Sequence, residues 1–468
     1  MLSAASPLAD FLACQFLLIQ KLRTSHEQLA RIRLCGGTMH VLLIGAGGFL
    51  GRHLAAALVA AGHTVTGTGR RGALPPGHAA QHWRRLELAA ADNAADWPAL
   101  LDSVDAVVYA AGLLRERRRG EFDAIHGRAP IALAGAAAAS AGIRRIVLIS
   151  ALGAGEAVDA GFLGSRAAAE QALLALAPGV GVVLRPSLVY GVDGRSTSWL
   201  RRLALLPLTP LPGDGRQPLQ PLHVADLCAA VCRLLQPDAP VPPGGIIEAV
   251  GPAPLTLRAY LAALRHGLGL PAAPVLPVPV GLLRLAARWL APWRAQPLCP
   301  ETLKLLLRGN TGDPAALTAL LDRPPRPVPA FAAGEHQSAE RAESAAALAA
   351  GLARAALALI WAAGGLASLL PGGRLAGFAL LAQLGVHGPL AWLLLLGGAG
   401  LDLAFALLTL HPAAGRRLWA AQAAIVALYG AIAAVGLPGL LADPLGAIVK
   451  NLALLALLGQ LALHAEPD

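Results

Sequence analysis

Four long, nearly uncharged stretches toward the end of this 468-residue chain constrain its architecture more than any other feature. They are Ala353–Leu370, Pro389–Leu410, Leu418–Leu437 and Leu445–Leu463. At about 1.5 Å of rise per residue, about 20 apolar residues cross a ~30 Å hydrocarbon core. One such run can be a helix buried in a soluble core, but a region this small cannot bury four. Residues 351–468 are therefore read as a four-helix transmembrane bundle, with Leu375–Val386 too short to span and expected to lie along the membrane or re-enter it. Arg354 and the Arg416–Arg417 pair stand at one end of these runs. The positive-inside rule then puts that end, the preceding domain and the C-terminus in the cytoplasm, at the inner membrane. Asp402 and Lys450 are costly in hydrocarbon and so are candidate functional positions. Their depths differ by roughly 10 Å, so a direct pair is not expected. Lys450 instead snorkels toward Asp443 or lipid phosphate, and Asp402 suits an interior polar network.

Ahead of these runs the pattern changes. From Met39 to about Pro178, short β-branched segments alternate with Ala/Leu-rich helical ones, as βαβ units on a parallel sheet do. The expected strands are His40–Ile44, Thr64–Thr68, Asp105–Ala110, Arg145–Ser150 and Val180–Leu184. The fold class is accordingly α/β, a doubly wound parallel-sheet Rossmann domain with a small substrate region, followed by the membrane bundle. The domain reading is an N-terminal extension at 1–38, upstream of an alternative start at Met39, and a dinucleotide-binding core at 39–184. A substrate region at 185–321, a linker at 322–350 opening on the proline-rich Asp322–Ala330, and the membrane part at 351–468 complete it.

The chemical signal with the firmest mechanism is Gly45-Ala46-Gly47-Gly48-Phe49-Leu50-Gly51, between a strand and a helix. Gly45 permits the sharp exit from the strand, Gly48 lets backbone approach a pyrophosphate, and Gly51 lets the helix pack closely on the sheet. The helix start then offers free amides and partial positive charge to phosphate. Cofactor choice is read about 20 residues on, where an acid would bind the ribose 2′-hydroxyl of NAD. The chain has Thr68-Gly69-Arg70-Arg71 there, with no acid. Arg70 and Arg71 suit a 2′-phosphate, which favours NADP with NAD as the alternative; the competing view makes them solvated loop charges.

With the glycine spacing, Asp105–Gly112 (DAVVYAAG), Ile146–Ser150, Leu184-Arg-Pro-Ser187 and His223-Val-Ala-Asp226 resemble extended and atypical short-chain dehydrogenases, in the right order over about residues 39–320. The tail, particularly Asp443-Pro-Leu-Gly and Lys450-Asn451, resembles DoxX-like membrane domains. The resemblance implies that Glu87–Leu88 hold adenine, with Glu87 in place of a more usual Asp. It further implies that Ala110, Ala111 and Gly112 line the nicotinamide ribose and that Arg185, Pro186 and Ser187 close on the nicotinamide.

The family's proton-donating Tyr-x-x-x-Lys maps onto Phe162-Leu-Gly-Ser-Arg166. Phenylalanine has no proton to give and arginine does not release one, so Tyr/Lys chemistry is absent. Ser150 ends the right strand, although the family's catalytic serine stands a residue or two later, at Ala151 or Leu152. His126 is either a substitute acid or a helix-packing histidine. The basic run Arg115–Arg119 is a solvated face or a contact for an acidic headgroup. The resemblance thus implies an NADP(H)-binding oxidoreductase tethered to the membrane and acting on a lipophilic quinone or lipid, its proton supplied by water. The alternative is a catalytically silent nucleotide-binding protein that stabilises a membrane complex, as in the accessory subunit of respiratory complex I that resembles this domain family.

The remaining composition excludes other classes. Apolar residues make up 56% and charged ones 14%, which rules out disorder and a collagen-like fibre. Five scattered cysteines make no disulfide framework and no metal site, and Cys228 and Cys232 read as small core residues on one helix face. The net charge of +10 comes from 35 dispersed arginines and three lysines without stacking aromatics, so nucleic acid is not an expected partner.

Overall fold

The computed structural model describes residues 37–113, 115–116, 118–140, 142–156, 162–290, 299–331, 337–411, 414–437 and 450–464. The segment 1–36, Arg117 of the basic run, Asp443 and the first five residues of the fourth apolar run lie outside them. The chain divides into two compact units, one drawn from residues 1–288 and 298–338 and the other from 289–297 and 339–468.

The first unit is built on seven parallel strands, β1 (His40–Ile44), β2 (Thr64–Gly69), β3 (His82–Arg85), β4 (Ala106–Tyr109), β5 (Arg145–Ile149), β6 (Gly181–Pro186) and β7 (Ile246–Ala249). Their spatial order is β7-β6-β5-β4-β1-β2-β3. The order reverses between β1 and β4, and in doubly wound sheets the ligand crevice opens at that switch, beyond the strand C-termini. Helices α1 (Phe49–Ala60), α2 (Ala129–Ala138), α3 (Phe162–Leu176), α4 (Arg195–Leu205), α5 (Val224–Leu234) and α6 (Leu257–Gly267) belong to this unit. Strand β1 is apolar from Val41 to Ile44 because both its faces are covered: Val41 and Leu43 face Leu54 and Leu58 of α1 and Leu227 of α5 in one core. Leu42 and Ile44 face Leu133 of α2 and Leu173 of α3 in the other. A strand covered on both faces needs no polar alternation. Cys228 and Cys232 are buried on α5 in the first core, and burial pushes both thiols well above their ordinary range.

Two strands differ from the five expected. β3 reads His-Trp-Arg-Arg and has no apolar alternation because it is the exposed edge strand. β7 is four residues long and is recruited by β6. A third core forms in the substrate region, where Tyr190, Leu200, Leu211, Leu261 and Phe331 meet. The proline-rich Asp322–Ala330, read from composition as a linker, is instead docked. Buried Asp226 accepts from Arg323 Nη2 at 2.6 Å and from the Arg326 amide at 2.8 Å, and Val328 and Phe331 enter the third core. Prolines pre-shape the segment, and a buried carboxylate with two partners holds it.

Among the described residues, the helices of the second unit are α7 (Gln337–Leu369), α8 (Pro371–Gln383), α9 (Gly388–Leu410), α10 (Arg416–Gly436) and α11 (Lys450–His464). Among the described residues, three segments are long and apolar enough to cross a membrane, Arg341–Leu369, Gly388–Leu410 and Arg416–Gly436. Of the fourth expected span, the described part is α11, and Leu445 and the next four residues lie outside the described residues. Leu357, Trp361, Phe405, Trp419, Val426 and Leu458 pack inward, while Leu393, Leu407 and Val435 stay largely exposed, as a lipid-facing surface requires. Polar side chains link three helices, Trp361 Nε1 donating to Gln422 Oε1 at 2.9 Å and Gln422 Nε2 to Thr409 Oγ1 at 2.8 Å. Asp402 is not in this network. Its Oδ1 is buried without a hydrogen bond, and its Oδ2 would lie 3.3 Å from a Cβ on Gly364.

Candidate functional site

The turn after β1 is shaped by backbone contact. Gly45 has φ +80°, and a Cβ there would lie 2.7 Å from Ala111 Cα, so the turn and the Ala110–Gly112 loop after β4 touch directly. At Gly51 a Cβ would stand 2.3 Å from the Gly45 carbonyl oxygen, which pins α1 against the turn. Gly48 caps α1 with φ −78° and no side-chain hydrogen bond, leaving the helix start open and Gly47 and Gly48 exposed. An uncapped helix start beside a close-packed glycine turn fits a diphosphate. Phe49 and Leu50 present backbone at this start. The Phe49 ring itself turns to the substrate region, where a Cβ on Gly191 would meet it at 2.7 Å. Asp193 holds Arg52 and His53 of the same helix at 2.8 and 2.7 Å; their hydrogen bonds outweigh burial and lower its pKa.

Arg70 and Arg71 are exposed just after β2. Trp83, unremarked in the sequence, organises their surroundings. Its indole lies over β2 where a Cβ on Gly69 would be 2.5 Å from the ring, and its Nε1 donates to the Arg71 carbonyl at 2.9 Å. A Cβ on Gly47 would touch the same ring at 3.8 Å. His78 stacks edge-on against Trp83 and shares a 3.0 Å hydrogen bond with the Ala46 carbonyl. The paired glycines at 67 and 69 were the available signal, since glycine inside a strand marks close approach of another group. Glu87 and Leu88 follow β3 on the same strand-end edge, Glu87 exposed and Leu88 packed on the second core.

At the other side of the crevice, α3 opens with Phe162, so the Phe162/Arg166 register lies on the helix after the Ser150 strand. Arg166 is buried; its Nη1 donates to the Ile149 carbonyl at 2.9 Å, and its guanidinium sits 4.8 Å over the Phe162 ring. A Cβ on Gly112 would lie 2.7 Å from its Nη2. Burial lowers its pKa to about 10 against the opposing pull of Tyr109 and Glu170, so it remains a cation at neutral pH. His126 stands in a π-helical turn, Asp123–Arg128, stacked on Phe122 and edge-on to Phe162. The Leu113 amide donates to its Nε2 at 2.9 Å, which assigns the proton to Nδ1. Burial, then the Arg166 charge, push its pKa down to about 2. A ring so held is neutral and packed, not poised as an acid. Ser150 Oγ, His126 Nδ1 and Arg166 Nε are buried without hydrogen-bond partners. All three residues line a crevice with Tyr109, Ala111, Leu148 and Ala169 that is too narrow for water.

Arg185, Pro186 and Ser187 do reach the same strand edge, but their side chains are committed elsewhere. Arg185 forks onto buried Glu170 with its Nε at 3.0 Å and Nη2 at 2.5 Å, and Ser187 Oγ donates to the Gln220 carbonyl at 2.6 Å. The Arg185 and Ser187 side chains are therefore engaged within the protein. Among the described residues no His/Cys/Asp/Glu group could hold a metal ion.

Two family models match the chain. The NAD dependent epimerase/dehydratase family matches residues 41–249, and the DoxX-like family matches residues 358–459. A ceramide reductase of Caulobacter vibrioides is 31% identical over 201 residues, 41% of this chain and 61% of the relative. NADH dehydrogenase [ubiquinone] 1 alpha subcomplex subunit 9 of Arabidopsis thaliana mitochondria is 29% identical over 141 residues, 30% of this chain and 35% of the relative. The chain thus spans less than two thirds of either relative. UDP-glucuronic acid 4-epimerase from Bacillus cereus, solved with UDP-glucuronic acid and NAD, aligns at 17% identity with a TM-score of 0.45, over 66% of this chain and 98% of its own. Residues 41–249 are an NAD-dependent epimerase/dehydratase domain, and residues 358–459 are a DoxX-like domain carried by the same chain.

Proposed function

We propose that the protein is a membrane-anchored, NADP(H)-dependent reductase that delivers hydride to a carbonyl of a long-chain lipid at the cytoplasmic face. The observation that carries the cofactor reading is the cradle itself: at Gly45 and Gly51 a Cβ would collide with backbone, beside an uncapped helix start. Amides of Gly47–Gly51 would hold the diphosphate, and Arg70 and Arg71, placed by Trp83, the 2′-phosphate. Glu87 and Leu88 would border adenine, Ala110–Gly112 the nicotinamide ribose, and the Arg185–Ser187 backbone the nicotinamide. Bound there, the cofactor supplies a hydride at its nicotinamide ring. What the chain adds is a fixed positive charge. Arg166 stays protonated next to Gly112 and favours negative charge developing on a carbonyl oxygen, the role that a proton donor has where tyrosine is present. The proton that completes the hydroxyl then comes from water. The lipid substrate rests on the membrane-spanning helices and on the likeness to a ceramide reductase.

One observation favours a second reading. Phe122, His126 and Phe162 close around Arg166 in a crevice that excludes water, as suits a nucleotide-binding domain with no turnover. Full-length protein in lipid nanodiscs, given NADPH and a panel of long-chain keto-lipids including an oxidised ceramide, separates the two. Loss of absorbance at the nicotinamide band with a keto-lipid supports the reductase. Tight binding without oxidation across the panel overturns it in favour of the silent domain.

A further inference from the structure

Helix Val280–Leu290, ahead of the membrane spans, presents an apolar and basic outward arc. Val280, Leu283, Ala286 and Ala287 turn inward, Ala287 fully buried. At 100° per residue, Arg284 and Arg288 then share one half of the exposed arc, and Leu282, Leu285 and Trp289 the other. These three are 57%, 53% and 77% exposed, more than any other large apolar side chain described ahead of Arg341. The patch extends into the preceding strand pair, where Val275–Val278 lies alongside Thr209–Pro212 and both Leu276 and Leu208 are exposed.

We infer that this helix lies in the headgroup layer of the bilayer that the chain's own spans cross, its leucines and Trp289 among the upper acyl carbons and its arginines on lipid phosphate. The inference rests on the reading of residues 341–436 as membrane-spanning. An apolar half-face next to a basic half-face, with tryptophan at the margin, is the composition of an in-plane interfacial helix. Arginine and tryptophan are also common in protein interfaces, so composition alone does not choose the partner; the bilayer is chosen because the same chain carries helices long and apolar enough to cross it. Anionic lipid satisfies both halves, its acyl carbons the apolar one and its phosphates the arginines.

The test compares full-length protein with Trp289→Phe and Trp392→Phe in nanodiscs of phosphatidylcholine with and without phosphatidylglycerol, some with brominated acyl chains. Each difference spectrum isolates one tryptophan. The inference predicts that Trp289 emission is blue-shifted, quenched by brominated lipid and protected from iodide in anionic discs, and that Arg284→Gln/Arg288→Gln weakens this in a salt-dependent way. Trp392, exposed on α9, reports the spans. If Trp392 is quenched by brominated lipid while Trp289 stays red-shifted and open to iodide, the helix is in water and the inference fails although the spans stand. If Trp392 is not quenched, the spanning reading itself fails. Protection of Trp289 from both quenchers means a protein cover, a second copy or another chain, and also overturns the inference.

Discussion

Gly45 and Gly48 stand three residues apart in the same turn, yet alanine should act on them in opposite ways. At Gly45 the backbone has φ +80°, a conformation that costs an alanine roughly 1–2 kcal/mol. Its Cβ would also lie 2.7 and 2.8 Å from the Ala111 Cα and N, an overlap of the kind that costs roughly 1–3 kcal/mol. Gly45→Ala should therefore destabilise the front domain by about 2–5 kcal/mol, a fall in melting temperature of roughly 4–20 °C. Gly48 has φ −78°, ordinary for alanine, and its Cβ would meet only the Gly45 carbonyl oxygen at 3.3 Å. Gly48→Ala should thus leave stability within about 1 kcal/mol of wild type. It places a methyl where a phosphate must approach the helix start. An amide bond to a charged acceptor contributes about 1.5–3 kcal/mol, so losing one weakens NADPH binding roughly 10- to 150-fold. Differential scanning fluorimetry of detergent-solubilised protein reads the first effect, and enhancement of NADPH fluorescence the second. Wild-type NADPH affinity in Gly48→Ala, or a wild-type melting temperature in Gly45→Ala, would refute the cradle argument.

Further outcomes follow from the same geometry. Replacing Arg70 and Arg71 by alanine should weaken NADPH about tenfold or more while leaving NADH nearly unchanged, measured by titration of both cofactors; equal losses would remove the 2′-phosphate assignment. Glu170→Ala strands the Arg185 guanidinium, 17% exposed, and removes the carboxylate that favours the Arg166 cation, and should cost about 3–5 kcal/mol in denaturant melts. His223 accepts from the Ala225 amide, and burial, then Arg326, push its pKa down to about 4. The unfolded chain takes up that proton near pH 6.5 and the folded one does not. The stabilisation is therefore full above pH 6.5 and is lost as pH falls toward 4. His223→Asn, which keeps a capping acceptor, should flatten that part of the pH–stability profile.

What the residue order disclosed, and what it hid, follows from the range of the interactions involved. Strand β1 and the glycine turn were legible because their determinants are local: a run of apolar residues, then backbone that only glycine can supply. The Phe162/Arg166 register was legible by position on α3, but not its consequence, since the contacts of Arg166 with Ile149 and His126 join segments far apart in sequence. The segment Asp322–Ala330 misled for the same reason. Its prolines describe a stiff chain, whereas its docking is decided by Asp226, about a hundred residues earlier. Strand β3 escaped notice because an edge strand carries no alternating pattern, and with it went Trp83 and the floor beneath Arg71. Arg185 shows the reverse limit: its motif marked the right strand edge, yet its side chain is bound to Glu170.

The central claim is that a dinucleotide cradle and a bilayer anchor work in one chain, and equilibrium binding of NADPH to the full-length protein in lipid nanodiscs tests it most directly. Saturable, one-to-one binding, tighter for NADPH than for NADH and weakened by Gly48→Ala, is the predicted result. Absence of saturable binding by either cofactor, in discs that retain the folded chain, would contradict it.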